Sequence, residues 1–203
     1  MVIAGAGGLG IEIMGFLILD GYNKPICFYD DNKNRASILY NKFPVYHKSD
    51  ELITFFNKNG YNFITGIGNP RIREKLTKKI IGYGGKLTNA VSLRAAVFPY
   101  TDIPPGVIIQ PGAALSHGIE LSEGDAIHIN CTIGHNTKLG KYVNIGPNVS
   151  VIGPVEICDY AYIGAHSTIM PGIKIGKQAI IPAGSYVNRN VADYETFGEN
   201  NEN

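Results

Sequence analysis

Histidine is the side chain whose ordinary pKa allows proton transfer near neutrality, and the chain has five of them. His117 and His135 stand eighteen residues apart, each two positions after an aliphatic residue, Leu115 and Ile133. His128 directly follows Ile127, His166 lies further along the same region, and His47 lies outside it. A different chemistry is suggested near the start. Gly5-Ala6-Gly7-Gly8-Leu9-Gly10 separates the short apolar run Val2-Ile3-Ala4 from a longer one, Ile11 to Leu19. A glycine turn from strand to helix brings helix N-terminal amides toward a phosphate or a close ligand backbone. Asp30, an acid about twenty residues further on, completes a dinucleotide-type fingerprint. The plain alternative is a tight strand-to-helix turn with no ligand.

The histidines sit within a repeat. From Val97 to Val187 every sixth residue is Ile, Leu or Val, through Ile103, Ile109, Leu115, Leu121, Ile127, Ile133, Leu139, Ile145, Val151, Ile157, Ile163, Ile169, Ile175 and Ile181. An unbroken six-residue period predicts a parallel β-helix in which three hexads close one triangular coil, roughly five coils in all. Three residues after the aliphatic stand Gly106, Gly112, Gly118, Gly124, Asn130, Asn136, Asn148, Gly172, Gly184 and Asn190, residues that tolerate the positive φ of a corner. Two before it, Ala113, Val143, Val149, Ala161, Ser167 and Ala179 are small enough to fill the inside. His117 and His135 are therefore expected to stack at one corner of adjacent coils, and His166 to stand over Asn148. A corner needs no side chain to fold, so His47, His166 and His117 each have a plain reading as solvated polar residues. Asn136 likewise has a backbone reading at its positive-φ position.

The first ninety residues alternate strand and helix. Strands are predicted at Val2–Ala4, Pro25–Tyr29, Asn62–Ile67 and Lys86–Thr88, and helices over Ile11–Leu19, Glu51–Asn57 and Arg71–Ile81. Asn69 caps the last helix and Pro70 opens it. This pattern predicts a parallel Rossmann-like α/β sheet, so the expected division is an N-terminal Rossmann-like domain over 1–90 and a β-helix domain over 91–203. At this length half a Rossmann fold holds one nucleotide better than two.

Composition narrows the classes. Eighteen Lys and Arg are nearly balanced by seventeen Asp and Glu and no basic run exists, so no nucleic-acid partner is expected. No apolar run is long enough to span a bilayer and no leader pattern opens the chain, so no membrane partner and a cytoplasmic location are expected. The cysteines Cys27, Cys131 and Cys158 have no CxxC spacing and are expected to be small buried residues, with no metal site.

Taken together, the glycine loop, Tyr29-Asp30-Asp31, Ile67-Gly68-Asn69 with Ile72-Arg73, and the stretch Ile127 to Asn136 resemble the sialic acid O-acetyltransferase and bacillosamine N-acetyltransferase family. The resemblance implies a left-handed β-helix, a homotrimer, acetyl-CoA as co-substrate in a groove between neighbouring prisms, and a nucleotide-activated sugar, often a UDP-sugar, near the N-terminal domain. It implies His135 as general base with Asn136 beside it. It places Gly7, Gly8, Leu9, Asp30 and Asp31 around the nucleotide and sugar, and Gly68 and Asn69 in the loop that closes the site. It places Gly153, Ala165 and Ala183 along the pantetheine arm, and Asn144 where some members carry a second histidine. This chain departs from the family in having Leu9 for a histidine, Asn136 for an acid, and Thr196-Phe197-Gly198-Glu199 near the place of a Gly-Val-Pro-Ala segment. The implied function is acetyl transfer to an amino or hydroxyl group of the sugar. Two other readings compete: a non-catalytic nucleotide-sugar scaffold, and a zinc-dependent hydratase of the β-helix carbonic anhydrase type using His117, His128 and His135. The second lacks that family's five-residue histidine pair.

Overall fold

The structure, a computed structural model, describes residues 1–198. The chain forms two compact units that divide between Ala90 and Val91.

The first unit contains β1 (Val2–Ala4), α1 (Gly8–Leu19), β2 (Cys27–Tyr29), β3 (Ile38–Leu39), β4 (Phe43–Tyr46), α2 (Ser49–Asn59), β5 (Asn62–Thr65), α3 (Pro70–Gly82) and β6 (Lys86–Leu87). The sheet order is β3-β4-β2-β1-β5-β6, parallel throughout except for β3. Val2, Ala4, Cys27, Tyr29, Leu52, Phe56, Phe63 and Ile80 form its core. At about 1.5–3 kcal/mol for each large apolar side chain removed from water, this burial is what holds the short strands together. Asn69 caps α3 as expected: its Oδ1 accepts from the Ile72 amide at 3.1 Å, and Pro70 occupies the first turn. The hairpin of β3 and β4 is an addition to the predicted elements. Its turn has Tyr40 and Asn41 at φ 50° and 52°, the geometry whose twist suits two antiparallel strands.

The second unit is a parallel β-helix of two-residue strands. One sheet runs Ala96–Val97, Ala114–Leu115, Thr132–Ile133, Ser150–Val151, Thr168–Ile169 and Tyr186–Val187. A second runs from Ala90–Val91 through Ile108–Ile109, Ala126–Ile127, Asn144–Ile145 and Tyr162–Ile163 to Ile180–Ile181. A third contains Lys138–Leu139, Glu156–Ile157 and Lys174–Ile175. The aliphatic ladder forms one continuous core, and Ala113, Val143, Val149, Ala161 and Ala179 are buried inside it. The repeat reaches one step further back than Val97, since Val91 also packs against this core.

Most corner positions carry positive φ, Asn130, Asn136 and Asn148 among them, at 57°, 54° and 56°. Tyr142, Tyr160, His166 and Gln178 adopt the same conformation without being Gly or Asn. Here the ladder of coil-to-coil hydrogen bonds outweighs local preference; Tyr142 and Tyr160 also stack, with ring centroids 6.1 Å apart. Asn190 is a correction, because its φ is not positive; instead its Oδ1 accepts from the Lys174 amide at 2.8 Å. Cys158 is also a correction. It is half-exposed, whereas Cys27 and Cys131 are buried as expected.

Candidate functional site

In the first unit β1 delivers Gly5 and α1 starts at Gly8, so the loop between them lies at the carboxyl end of the central strand. The glycines divide by role. Gly5 has φ +106°, and a Cβ on it would strike Gly66 and Ile67. A Cβ on Gly10 would strike the Gly5 carbonyl, so these two glycines serve backbone packing. Gly8 faces open space, and a Cβ on Gly7 would lie 3.4 Å from the Arg35 guanidinium. No side chain caps α1, whose N-cap is Gly7. Its first amides are therefore available to an anion.

Asp30 secures this loop. Its Oδ2 accepts from the Ala6 amide and its Oδ1 from the Asn32 amide, both at 2.9 Å, and Arg35 stands 3.8 Å away. Both carboxylate oxygens are thus engaged by backbone, and Asp30 orders the turn from which any ligand would be held. His47 is half-buried rather than solvated as expected, with its Nδ1 2.9 Å from the Asp30 carbonyl oxygen. Leu9 is buried in the first turn of α1 and offers no polar group. Arg73, almost fully buried, donates to the carbonyls of Ile67 and Gly68 at 2.8 and 2.9 Å and so fixes the loop that carries Gly68 and Asn69.

A cavity of about 460 Å³ opens here, lined by Gly5, Asp30, Asp31, Ile72, Lys75 and Lys79 together with Ile67 and Leu76. Asp31 Oδ1 accepts from Lys79 Nζ and from the Tyr29 hydroxyl, each at 2.7 Å. Partial burial pushes the Asp31 carboxyl up, but the hydrogen bonds from Lys79 and Tyr29 and the nearby lysine charges outweigh it and hold the group below its ordinary value. The bond to Asp31 correspondingly raises Lys79. Desolvation, then Asp31, raise the Tyr29 phenol well above its usual range. Sequence reasoning missed Arg35, Lys75 and Lys79. Lys75 and Lys79 did leave a signal, since residues four apart share one face of a helix.

In the second unit the register of Leu115, Ile133 and Val151 places His117, His135 and Gly153 at equivalent positions on three successive coils. The two rings stack as expected, with centroids 5.5 Å apart and planes at 25°. Asn136 turns the corner at positive φ, and its amide nitrogen lies 3.3 Å from His135 Nδ1. Gly153 is buried, and a Cβ there would strike the backbone of Gly134 and His135. A groove of about 460 Å³ runs beside this corner, lined by Ala114, Ser116, Thr132, His135, Ile152 and Gly153 with their neighbours.

The other expected residues lie elsewhere on the β-helix. Ala165 is half-buried and Ala183 exposed; they share another corner, where the Ala165 carbonyl accepts from the Gly184 amide at 2.8 Å. Asn144 is buried, with its Oδ1 3.2 Å from His128 Nε2. His166 Nε2 lies 3.4 Å from Asn148 Nδ2, at the stacked position expected for it. Among the described residues, no group of three or more His, Cys, Asp or Glu side chains is placed to hold a metal ion. In the C-terminal stretch Phe197 lies under Arg189, 4.9 Å from its guanidinium carbon to the ring centre. Glu199 lies outside the described residues.

A Rossmann-like unit with an open glycine loop, followed by a hexapeptide β-helix with a histidine at an exposed corner, is the architecture of two-domain hexapeptide-repeat transferases. Residues 1–80 match the PglD N-terminal domain, and residues 136–170 and 154–189 match the bacterial transferase hexapeptide (six repeats). Among solved structures, a variant of perosamine N-acetyltransferase from Caulobacter crescentus, in complex with CoA and GDP-perosamine, is 26% identical with a TM-score of 0.86, over 95% of this chain and 90% of that one. The acetyltransferase domain of PglB from Neisseria gonorrhoeae FA1090, in complex with acetyl coenzyme A, shares the fold at 24% identity and a TM-score of 0.85, over 95% and 92%. A Bacillus subtilis (strain 168) protein named "Putative acetyltransferase YvoF" is 47% identical over 49 residues, which are 24% of this chain and 28% of that relative's length. The two family matches and the shared fold together fit the hexapeptide-repeat sugar acyltransferases with a PglD-type N-terminal domain. Its β-helix is accordingly left-handed.

Proposed function

We propose that this chain transfers an acetyl group from acetyl-CoA to a nucleotide-activated sugar, with His135 as general base. The observation that carries the reading is the corner of His135: an exposed imidazole ordered by a neighbouring ring and by Asn136, beside a groove where Gly153 presents no side chain. The Caulobacter relative, which binds CoA and GDP-perosamine, supports this donor and this class of acceptor. It also favours an amino group over a hydroxyl as the acceptor. The nucleotide sugar is assigned to the cavity at Asp31 and Lys79, with its phosphates toward Gly7, Gly8 and Arg35. UDP is retained as the favoured nucleotide on the family resemblance.

In the reaction the sugar amine attacks the thioester carbonyl, a carbon–nitrogen bond forms, and the tetrahedral intermediate expels CoA thiolate. His135 Nε2 removes the proton from the attacking nitrogen and passes it to the departing sulfur. For Nε2 to accept a proton, Nδ1 must hold its own. The Asn136 amide serves this with its oxygen turned to Nδ1–H; nitrogen and oxygen exchange places within the same contact. Gly153, Ala165 and Ala183 leave room along the β-helix for the pantetheine arm. Asn144, through His128, is assigned to the wall on that side. The small outward residues Ala96, Ala114 and Thr132 suit close approach of a second β-helix, as in a homotrimer. No helix among the described residues is long and apolar enough to cross a membrane, and a cytoplasmic role is proposed.

The test is incubation of purified protein with acetyl-CoA and UDP- or GDP-linked amino sugars, reading released thiol and acetylated product. Release of thiol with no acetylated sugar in any combination would remove the proposal. Faster turnover of the GDP sugars would remove the UDP preference alone. Sedimentation as a monomer at micromolar concentration would remove the shared-groove arrangement.

A further inference from the structure

We infer that His117 is a positioning residue for His135, its ring acting as the platform that fixes the plane of the base; this rests on the acetyltransferase reading above. A corner of the β-helix needs no aromatic side chain to form, and the aliphatic ladder through Leu115 and Ile133 is complete without one. Yet the coil of His117 holds the coil of His135 at three points. The rings stack at 5.5 Å and 25°. The His117 carbonyl accepts from the Asn136 amide at 3.1 Å. Gly118, at φ +68°, lies under the Asn136 side-chain amide group so closely that a Cβ would collide with it.

His117 is itself braced. Phe98 packs against its ring with centroids 6.2 Å apart, Tyr100 lies 5.9 Å from Phe98, and Ser116 Oγ stands 3.4 Å from its Nδ1. Four aromatic rings thus form a continuous row that ends at His135. The rung beyond His135 belongs to Gly153, which carries no side chain. The base is therefore supported on the side of His117, and the side toward Gly153 is left for substrate. An exposed side chain samples several rotamers, and a neighbour that selects one removes that cost from the reaction. Asn136 alone fixes only the Nδ1 edge; the stack adds the plane.

The experiment compares His117→Ala with His117→Phe, which keeps a ring without a titrating nitrogen. Both lie on an exposed corner, and far-UV circular dichroism and sedimentation verify that each folds and assembles like wild type. His117→Ala is expected to lower kcat about tenfold, the effect of a misplaced base, with both KM values within about twofold of wild type. His117→Phe is expected to return kcat to within about threefold, because stacking does not require an imidazole. In parallel, the His135 ring signals in a histidine-labelled sample should show the ring-current shift of a stacked neighbour in wild type and in His117→Phe, and lose it in His117→Ala. Full kcat in His117→Ala would overturn the inference, as would His117→Phe being as slow as His117→Ala, which would give the nitrogen and not the ring the role. Wild-type protein with no acetyl transfer would instead overturn the reading of the site and the inference with it.

Discussion

The loop of Gly7 and Asp30 and the corner of His135 are held by different forces. At the loop, charged side chains bond to backbone or to each other: Asp30 to the Ala6 amide, Arg73 to two carbonyls, Asp31 to Lys79. At the corner no ion pair among the described residues is part of the contacts that fix His135. Backbone stacks on backbone at Gly134 and Gly153, and ring stacks on ring at His117. One site is set by electrostatics, the other by close packing of repeated coils. The first should respond to charge and acid, and the second to added or deleted carbon atoms.

The largest test of this contrast is in the aliphatic core of the β-helix. Ile145 is fully buried, and Ile145→Ala should cost about 2–5 kcal/mol in chemical denaturation of the β-helix, from lost burial and the cavity left. A cost under about 1 kcal/mol would mean that the packing of neighbouring coils does not set the stability of this unit. Next comes Gly153→Ala, whose added methyl meets the His135 carbonyl. Overpacking of this kind costs about 1–3 kcal/mol, and activity should fall because the corner shifts. A neutral Gly153→Ala would break the claim that packing defines the corner.

Smaller effects belong to the loop. The Asp31 carboxyl is held below its ordinary value, so it adds stability above the unfolded-state carboxylate range, and that contribution disappears as pH falls through the lower folded value. Asp31→Asn should therefore lower the melting temperature at neutral pH, and the gap to wild type should close in acid; a gap independent of pH would contradict the electrostatic account of this site. The smallest effect is expected at Lys138, on the charged sheet, where it pairs with Glu120 at 2.8 Å in full solvent. Lys138→Ala should change neither stability nor turnover measurably, since exposed ion pairs contribute little.

The same contrast explains what could be read from the chain. In the β-helix each rung repeats its neighbour, so a period of six reveals the core, the corners and the eighteen-residue relation that stacks His117 on His135. Local preference failed only where tertiary bonds override it, as at Tyr142 and Tyr160 with positive φ and at Asn190 without it. In the first unit the strand and helix order was legible from apolar runs and the Asn69-Pro70 cap. The hairpin at 38–46 was hidden because its turn is Tyr40-Asn41 and a proline, Pro44, stands in the returning strand. Arg35 and Lys79 were hidden for another reason. Arg35 meets Gly7 through a loop contact, and Lys79 meets Asp31 across forty-eight residues of chain. No spacing rule connects such partners.

The most direct measurement is acetyl transfer by His135→Ala, with folding followed by circular dichroism. The side chain lies at an exposed corner outside the aliphatic ladder, so the fold should be intact. The expected result is a kcat lower by about 10²–10⁴, the usual contribution of a general base, with the acetyl-CoA KM little changed. A folded His135→Ala protein with full activity would contradict the mechanism proposed for this site.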